Sequence, residues 1–287
     1  MSQIANAKDY SLQELLVAAA AREIKDGEKV FAGVGIPCLG AMVAQLTHAR
    51  TAIIAVEAGC IGPSARRIIL GIGDNPCMER ALCTTSLWRL FSDQQNGFFD
   101  VGMVGGAQVD IYGNLNSTAI FGEGSYYQPA SRLPGSGGAN DIASSAGRTV
   151  IMVPLQRRRF LQRVDYITSP GYITGPGSRE AVGLPGGGPS AVITNKCVFR
   201  FDPETREMYL ASVHPGVTVD DVRKEVSWDL KVAKDLETTK PPTVEMLEIT
   251  RTIDLEKIYL GGGLKSLSFE RYVKMLETSF ERLASLF

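Results

Sequence analysis

Glu57 is the residue best placed to do chemistry. It follows the apolar run Thr51 to Val56 (TAIIAV) and is followed at once by Ala58-Gly59. A run of that length and composition reads as an interior parallel strand, and ligands of open α/β sheets gather at the carboxyl edge of such strands. A carboxylate standing there can act as a nucleophile when a thioester is bound beside it and backbone N–H groups meet the developing oxyanion. The glycine clusters supply donors of that kind: Gly33-Val34-Gly35, Gly105-Gly106 and Gly135-Ser136-Gly137-Gly138. With no Cβ in the way, such loops let a bound group approach the main chain closely. Gly137-Gly138-Ala139 offers such donors with little side-chain obstruction. Asp74 and Asp110 read as solvated turn residues.

Other chemistries fit the residue pattern poorly. Glu57 stands about 20 residues beyond Gly33-Val34-Gly35, as the ribose-binding acid does in a dinucleotide fold. The third glycine of that fingerprint is due at position 38, where the chain has Cys38 preceded by Pro37. No glycine cluster continues into the Gly-Lys-Ser/Thr of a phosphate-binding loop. Cys77 and Cys83 have no second close pair, and His48 and His214 have no companions at ligand spacing, so no metal site is expected.

The elements that must position Glu57 follow from apolar periodicity. Ser11 to Ile24 reads as a helix ended by Asp26-Gly27, Lys29 to Ala32 as a strand, and Leu39 to Leu46 as a helix entered through the glycine turn, with Pro37 in its first turn. Thr51 to Val56, Phe99 to Val104, Thr149 to Pro154, Ala191 to Ile193, Cys197 to Phe201 and Glu207 to Val213 read as strands. Cys83 to Phe91 fits helix or strand, and Arg66 to Glu79 has no clear period. Ser169 to Ser190, rich in Gly and Pro, reads as a long loop. Asp220 to Thr239 is expected to be partly helical, and Ser268 to Phe287 an amphipathic helix. The fold class is α/β, an open, mostly parallel or mixed sheet with flanking helices. Residues 1–287 read as one domain with 252–287 as a helical extension, although a chain of this length is near the size at which cores divide.

Composition narrows the function. Among 287 residues, 30 Lys and Arg face 31 Asp and Glu, 44% are hydrophobic, and there are 30 glycines but only 2 histidines. That is too apolar for disorder and too evenly charged to suggest a nucleic-acid partner. Histidine bases and histidine metal ligands have little material to work with. Five scattered cysteines fit reduced cytoplasmic thiols better than a disulfide framework. The opening segment has no basic region before its apolar run, and no apolar stretch is long enough to span a bilayer, so neither secretion nor membrane insertion is expected.

Several strings, taken in order, carry a resemblance. They are GVGIP at Gly33 to Pro37, VEAG at Val56 to Gly59, GGAQVD at Gly105 to Asp110, GNLNST at Gly113 to Thr118, GSGGAN at Gly135 to Asn140, and SPG with GPGSRE between Ser169 and Glu180. Each alone is a weak glycine motif. The ordered set, over roughly residues 10 to 235, resembles the class I CoA-transferases, specifically the β subunits of the glutaconate type. The resemblance implies that Glu57 is the nucleophile that forms an acyl anhydride and then a glutamyl-CoA thioester, with Gly137 and Gly138 as oxyanion donors. It implies Gly33, Gly35, Gly106, Asn140, Ser169 and Arg179 as residues lining the coenzyme A site. Arg158, Arg159 and Arg179 become candidates for a distal carboxylate or for phosphates, each equally readable as a surface or subunit-contact arginine. Coenzyme A thioester is then a substrate, and no tightly bound cofactor or metal is expected. The implied partner is an α subunit, in an α2β2 or larger assembly acting on acyl-CoA and carboxylate substrates. Hydrolysis or decarboxylation of CoA thioesters at C–C bonds is the alternative chemistry of this fold. Cys38 and Cys60 have no assigned role.

Overall fold

A computed structural model describes residues 6–65, 67–262 and 267–283. The chain forms two compact units, residues 1–90 with 241–287, and residues 91–240.

In the first unit, α1 (Leu12–Ala21) opens with a reciprocal cap. Ser11 accepts from the Glu14 N–H, and the Glu14 carboxylate accepts from the Ser11 N–H. β1 (Lys29–Ala32) leads through the glycine turn to α2 (Ile36–Leu46), which begins with Pro37 in its first turn as expected. Gly40 lets α2 lie close on α1, because a Cβ there would stand 3.1 Å from that of Ala20. β2 (Ile53–Val56) returns parallel to β1, then β3 (Cys60–Ile61) and β4 (Cys83–Thr84) continue antiparallel. The unreadable stretch between β3 and β4 is held by side chains instead of a ladder: Arg67 donates twice to Asp74, at 2.9 Å each. Asp74 is therefore not a solvated turn residue. Cys83 to Phe91 is both strand and helix, since α3 (Leu87–Gln95) starts three residues after β4.

The second unit holds β5 (Val101–Val104), a small sheet of β6 (Gln108–Asp110), β7 (Leu115–Asn116) and a later strand, and a hairpin of β8 (Ala119–Ile120) and β9 (Ser131–Arg132). α4 (Ala139–Ser145) begins inside the third glycine cluster and crosses over to β10 (Arg148–Met152), which pairs parallel with β5. Gly102 on β5 makes that packing possible, since a Cβ there would meet Ile142 of α4 at 2.3 Å. β11 (Phe160–Leu161) joins β6. The long loop holds one turn of helix, α5 (Ser178–Ala181), before β12 (Pro189–Ile193) pairs parallel with β10. β13 (Cys197–Phe201) and β14 (Met208–Val213) extend this sheet antiparallel.

Asp220 to Thr239 is partly helical as expected, but only at its start: α6 (Val219–Arg223) is short, and β15 (Lys231–Thr238) is an edge strand parallel to β14. Its weak alternation, with few buried residues, lets Val222, Val226, Leu230 and Ala233 imitate a helical stripe. Back in the first unit, α7 (Val244–Ile253) packs on α1 and α2. α8 (Phe269–Leu283) follows at the position expected for the amphipathic helix, and 284–287 lie outside the described residues. No described helix is long and apolar enough to cross a membrane.

Candidate active site

In the first unit, the site is built by the turn between β2 and β3. Ile54, Ala55 and Val56 are buried, Glu57-Ala58-Gly59 reverses the chain, and Cys60 pairs back onto Val56. Gly59 has φ +107°, donates its N–H to the Val56 carbonyl at 3.0 Å and accepts from the Thr85 N–H at 2.8 Å. A Cβ at Gly59 would stand 2.0 Å from the Thr85 oxygen, so both the conformation and the close approach require glycine. The turn leaves Glu57 half-buried, with a carboxylate that engages no partner among the described residues. Because β1 and β2 run parallel in the register Phe31 to Ala55, Gly33 falls level with Glu57 at the same carboxyl edge. Gly35 has φ +110° and forms the cap of α2. The structure thus brings Gly33, Gly35 and Glu57 to one edge.

The cysteines nearby are inert. Burial pushes the thiols of Cys38 and Cys77 up to about 12 and also raises that of Cys60, so all three stay protonated at neutral pH and behave as small apolar groups. Among the described residues, no three His, Cys, Asp or Glu side chains form a metal-binding group.

The second unit holds the other sequence candidates. Gly137 is exposed with φ +50°, and Gly138 caps α4. The Ala139 N–H is taken by the Ser136 carbonyl at 3.0 Å, whereas those of Gly137 and Gly138 meet no acceptor among the described residues. Gly137 is exposed whereas Gly138 is buried, so the two donors differ in their access to solvent. Asn140 is exposed in the first turn of α4 and accepts from Ser144 at 3.4 Å. The Gly106 carbonyl lies 3.5 Å from Nη1 of Arg159, while Arg158 and Arg159 both donate through Nε to the Gln156 side-chain oxygen, at 3.0 and 3.1 Å. The basic stretch and the second glycine cluster are thus neighbours. Ser169 is buried, pairs through its backbone with Leu115, and carries a hydroxyl without a partner among the described residues.

Arg179 is corrected. It is 3% exposed, and its guanidinium is spent on carbonyls: Nε on Gly186, Nη1 on Pro170 and Gly171, Nη2 on Ala143 and Ser144, all between 2.9 and 3.2 Å. Five N–H donors meet five acceptors, and none is left for a phosphate or carboxylate. Arg179 instead clamps the long loop to α4.

Asp110 is corrected as well, being 1% exposed. Its Oδ1 accepts from the N–H groups of Tyr112 and Asn114 at 3.0 Å each, and from the Asn114 amide at 3.1 Å. The Asn114 side chain in turn accepts from Gly171 and Ile173 at 2.8 and 3.1 Å. The GGAQVD and GNLNST strings therefore pin the SPG loop by buried hydrogen bonds, a structural role that their polar composition does not reveal. Burial pushes the Asp110 carboxyl up to about 6, with the bonds from Asn114 and Tyr112 opposing. His214 is also structural. Its Nε2 donates to the Thr194 carbonyl at 2.9 Å, its Nδ1 accepts from Thr239 at 2.9 Å, and burial lowers it to about 4.

An unengaged carboxylate at the end of a parallel strand is a group that can serve as a nucleophile without a histidine base. Comparison with known proteins defines the class. The coenzyme A transferase family model matches residues 14–225. The chain is 38% identical over 257 residues to the B-type subunit of glutaconate CoA-transferase from Acidaminococcus fermentans, covering 88% of this chain and 95% of that one. It is 37% identical over 246 residues to the B-type subunit of 3-oxoadipate CoA-transferase from Pseudomonas knackmussii, covering 85% and 94%. The crystal structure of glutaconate coenzyme A-transferase from Acidaminococcus fermentans superposes with a TM-score of 0.82 at 36% identity, covering 88% of this chain and 98% of that one. The chain belongs to the coenzyme A transferase family, and its enzyme class is CoA-transferase.

Proposed function

We propose that this chain is the catalytic, B-type subunit of a two-subunit CoA-transferase and that Glu57 is its covalent nucleophile. One observation carries the reading: a half-buried carboxylate with no partner among the described residues, held at the end of β2 by a turn that only glycine at position 59 permits. In the reaction proposed, a Glu57 oxygen attacks the thioester carbonyl of an acyl-CoA and expels CoA thiolate, leaving an acyl-glutamyl anhydride. The thiolate then attacks the Glu57 carbonyl of that anhydride, releasing the donor acid and leaving a glutamyl-CoA thioester. An incoming carboxylate reverses both steps and departs as the new acyl-CoA. No proton is transferred to a side chain, so a base is not required. The N–H groups of Gly137 and Gly138 are the proposed oxyanion donors. Gly33, Gly35, Gly106, Asn140 and Ser169 are the proposed coenzyme A contacts, and the Arg158 and Arg159 pair is proposed for an anionic end of a substrate.

The relatives' names favour a dicarboxylic acyl group of the glutaconate or 3-oxoadipate kind. Their B-type designation supports an α-subunit partner, in an α2β2 or larger assembly, and we assign the enzyme to the cytoplasm. Coexpression with the companion subunit, followed by exchange between acyl-CoA and a panel of dicarboxylates, tests the proposal. Ping-pong kinetics with obligate acceptor dependence are expected, together with loss of exchange in an assembled Glu57→Ala complex. Turnover without an acceptor acid, with release of CO2 or a ring-opened thioester, contradicts it.

A further inference from the structure

Residues 115–118, the end of the GNLNST string, form a strap that joins three of the other strings. Leu115 exchanges backbone hydrogen bonds with Ser169, donating at 2.9 Å and accepting at 3.1 Å. The Asn116 carbonyl accepts the Ala107 N–H at 2.9 Å. The carbonyls of Ser117 and Thr118 accept the N–H groups of Gly135 and Leu133 at 2.8 and 2.9 Å, which fixes the near end of the glycine loop. Its far end is fixed at the start of α4, where the Ser136 carbonyl accepts from Ala139 and the Gly138 carbonyl from Ile142, at 3.0 and 3.1 Å. Gly137 and Gly138 are thus suspended between the strap and the helix.

The strap is itself held by one hydroxyl. Oγ1 of Thr168 accepts the Ser117 N–H at 2.9 Å, lies 2.7 Å from Oγ1 of Thr118 and donates to Oδ1 of Asn116 at 3.4 Å. With Thr118 as the donor of the middle contact, the proton and both lone pairs of Thr168 are engaged. The residue whose N–H this hydroxyl receives, Ser117, is the one whose carbonyl receives Gly135. A change in the first bond is therefore passed across a single residue to the glycine loop. The Thr168 N–H donates to the Leu115 carbonyl at 2.8 Å, a main-chain bond that a side-chain substitution leaves in place.

We propose that Thr168 is a positioning residue for acyl transfer: through the strap it holds residues 135–138 where the N–H groups of Gly137 and Gly138 meet the oxyanion. The proposal rests on the reading of those two groups as oxyanion donors.

Thr168→Val and Thr168→Ser, made in the two-subunit enzyme, test it. The valine keeps the branched shape and removes the hydroxyl, whereas the serine keeps the hydroxyl. Since a donor displaced by about 1 Å can cost up to about 10²-fold, Thr168→Val is expected to lower kcat about tenfold or more while KM for acyl-CoA changes less than about twofold. Hydrogen exchange of the peptide containing Gly135 is expected to speed up about fivefold, as the loss of one hydrogen bond allows. Thr168→Ser is expected to restore both. Should Thr168→Val fail to assemble, Thr118→Val removes the other hydroxyl of the 2.7 Å contact and is expected to give the same split in smaller degree. Unchanged exchange at Gly135, or a loss of kcat that the serine does not recover, overturns the positioning role. Faster exchange with unchanged kcat overturns the reading of the glycine N–H groups as oxyanion donors, and this inference with it.

Discussion

At the scale of single residues, three positions separate chemistry from architecture. Glu57→Gln keeps the size of the side chain but removes the nucleophilic oxygen, and acyl exchange is expected to fall by about 10³-fold or more with the complex still assembled. Gly59→Ala faces both a left-handed φ and the Thr85 carbonyl, so it is expected to destabilise the fold by more than about 1 kcal/mol, read from the urea midpoint. Arg179→Lys replaces a five-donor fork by an ammonium that cannot reach five carbonyls. Its expected effect is a stability loss of about 2 kcal/mol or more with the KM for acyl-CoA unchanged. A raised KM at unchanged stability would return Arg179 to the ligand set. The structural role of Arg179 is illegible in the sequence for a physical reason: a guanidinium buried against main-chain carbonyls has acceptors that leave no signature in side-chain identity.

At the scale of elements, the legible pieces are those whose signal is local. The β1-turn-α2 unit and β2 with its acid are short, apolar and punctuated by glycine and proline. α4 is hidden because it begins inside a glycine cluster, and β15 imitates a helix because an edge strand is patterned weakly. Buried polar networks are equally hidden, and they make a pH prediction. The Asp110 carboxyl, ordinarily 3.8, sits at about 6, so the folded chain holds its proton more tightly and this contribution to stability declines as pH rises from about 4 to about 6. His214, ordinarily 6.5, sits at about 4, so the folded chain holds its proton less tightly and stability is lost as pH falls over nearly the same range. The two oppose each other. Denaturant unfolding between pH 4 and pH 6.5 is expected to show the gap between wild type and Asp110→Asn widening on acidification, and that between wild type and His214→Gln narrowing. Parallel curves would mean that neither group carries the shift.

At the scale of the whole molecule, 30 glycines and 2 histidines suit a chain whose proposed chemistry uses a carboxylate and main-chain donors. Both histidines contact main-chain carbonyls, His48 that of Ile24 and His214 that of Thr194. Length alone suggests a self-sufficient enzyme, whereas family membership and the proposed partner make this chain part of one. It is expected to show no acyl exchange when purified alone and to gain it on reconstitution with the companion subunit; full activity of the isolated chain would contradict this. The covalent route leaves a mark of its own. When the acceptor carboxylate attacks the glutamyl-CoA thioester, its oxygen becomes the bridge of the anhydride, and attack by CoA thiolate on the acyl carbonyl leaves that oxygen on Glu57. The decisive measurement is therefore a single turnover with an acceptor carboxylate labelled with heavy oxygen, followed by mass analysis of the peptide containing Glu57. Transfer through Glu57 predicts one heavy oxygen in its carboxylate, and turnover that leaves the peptide unlabelled would contradict it.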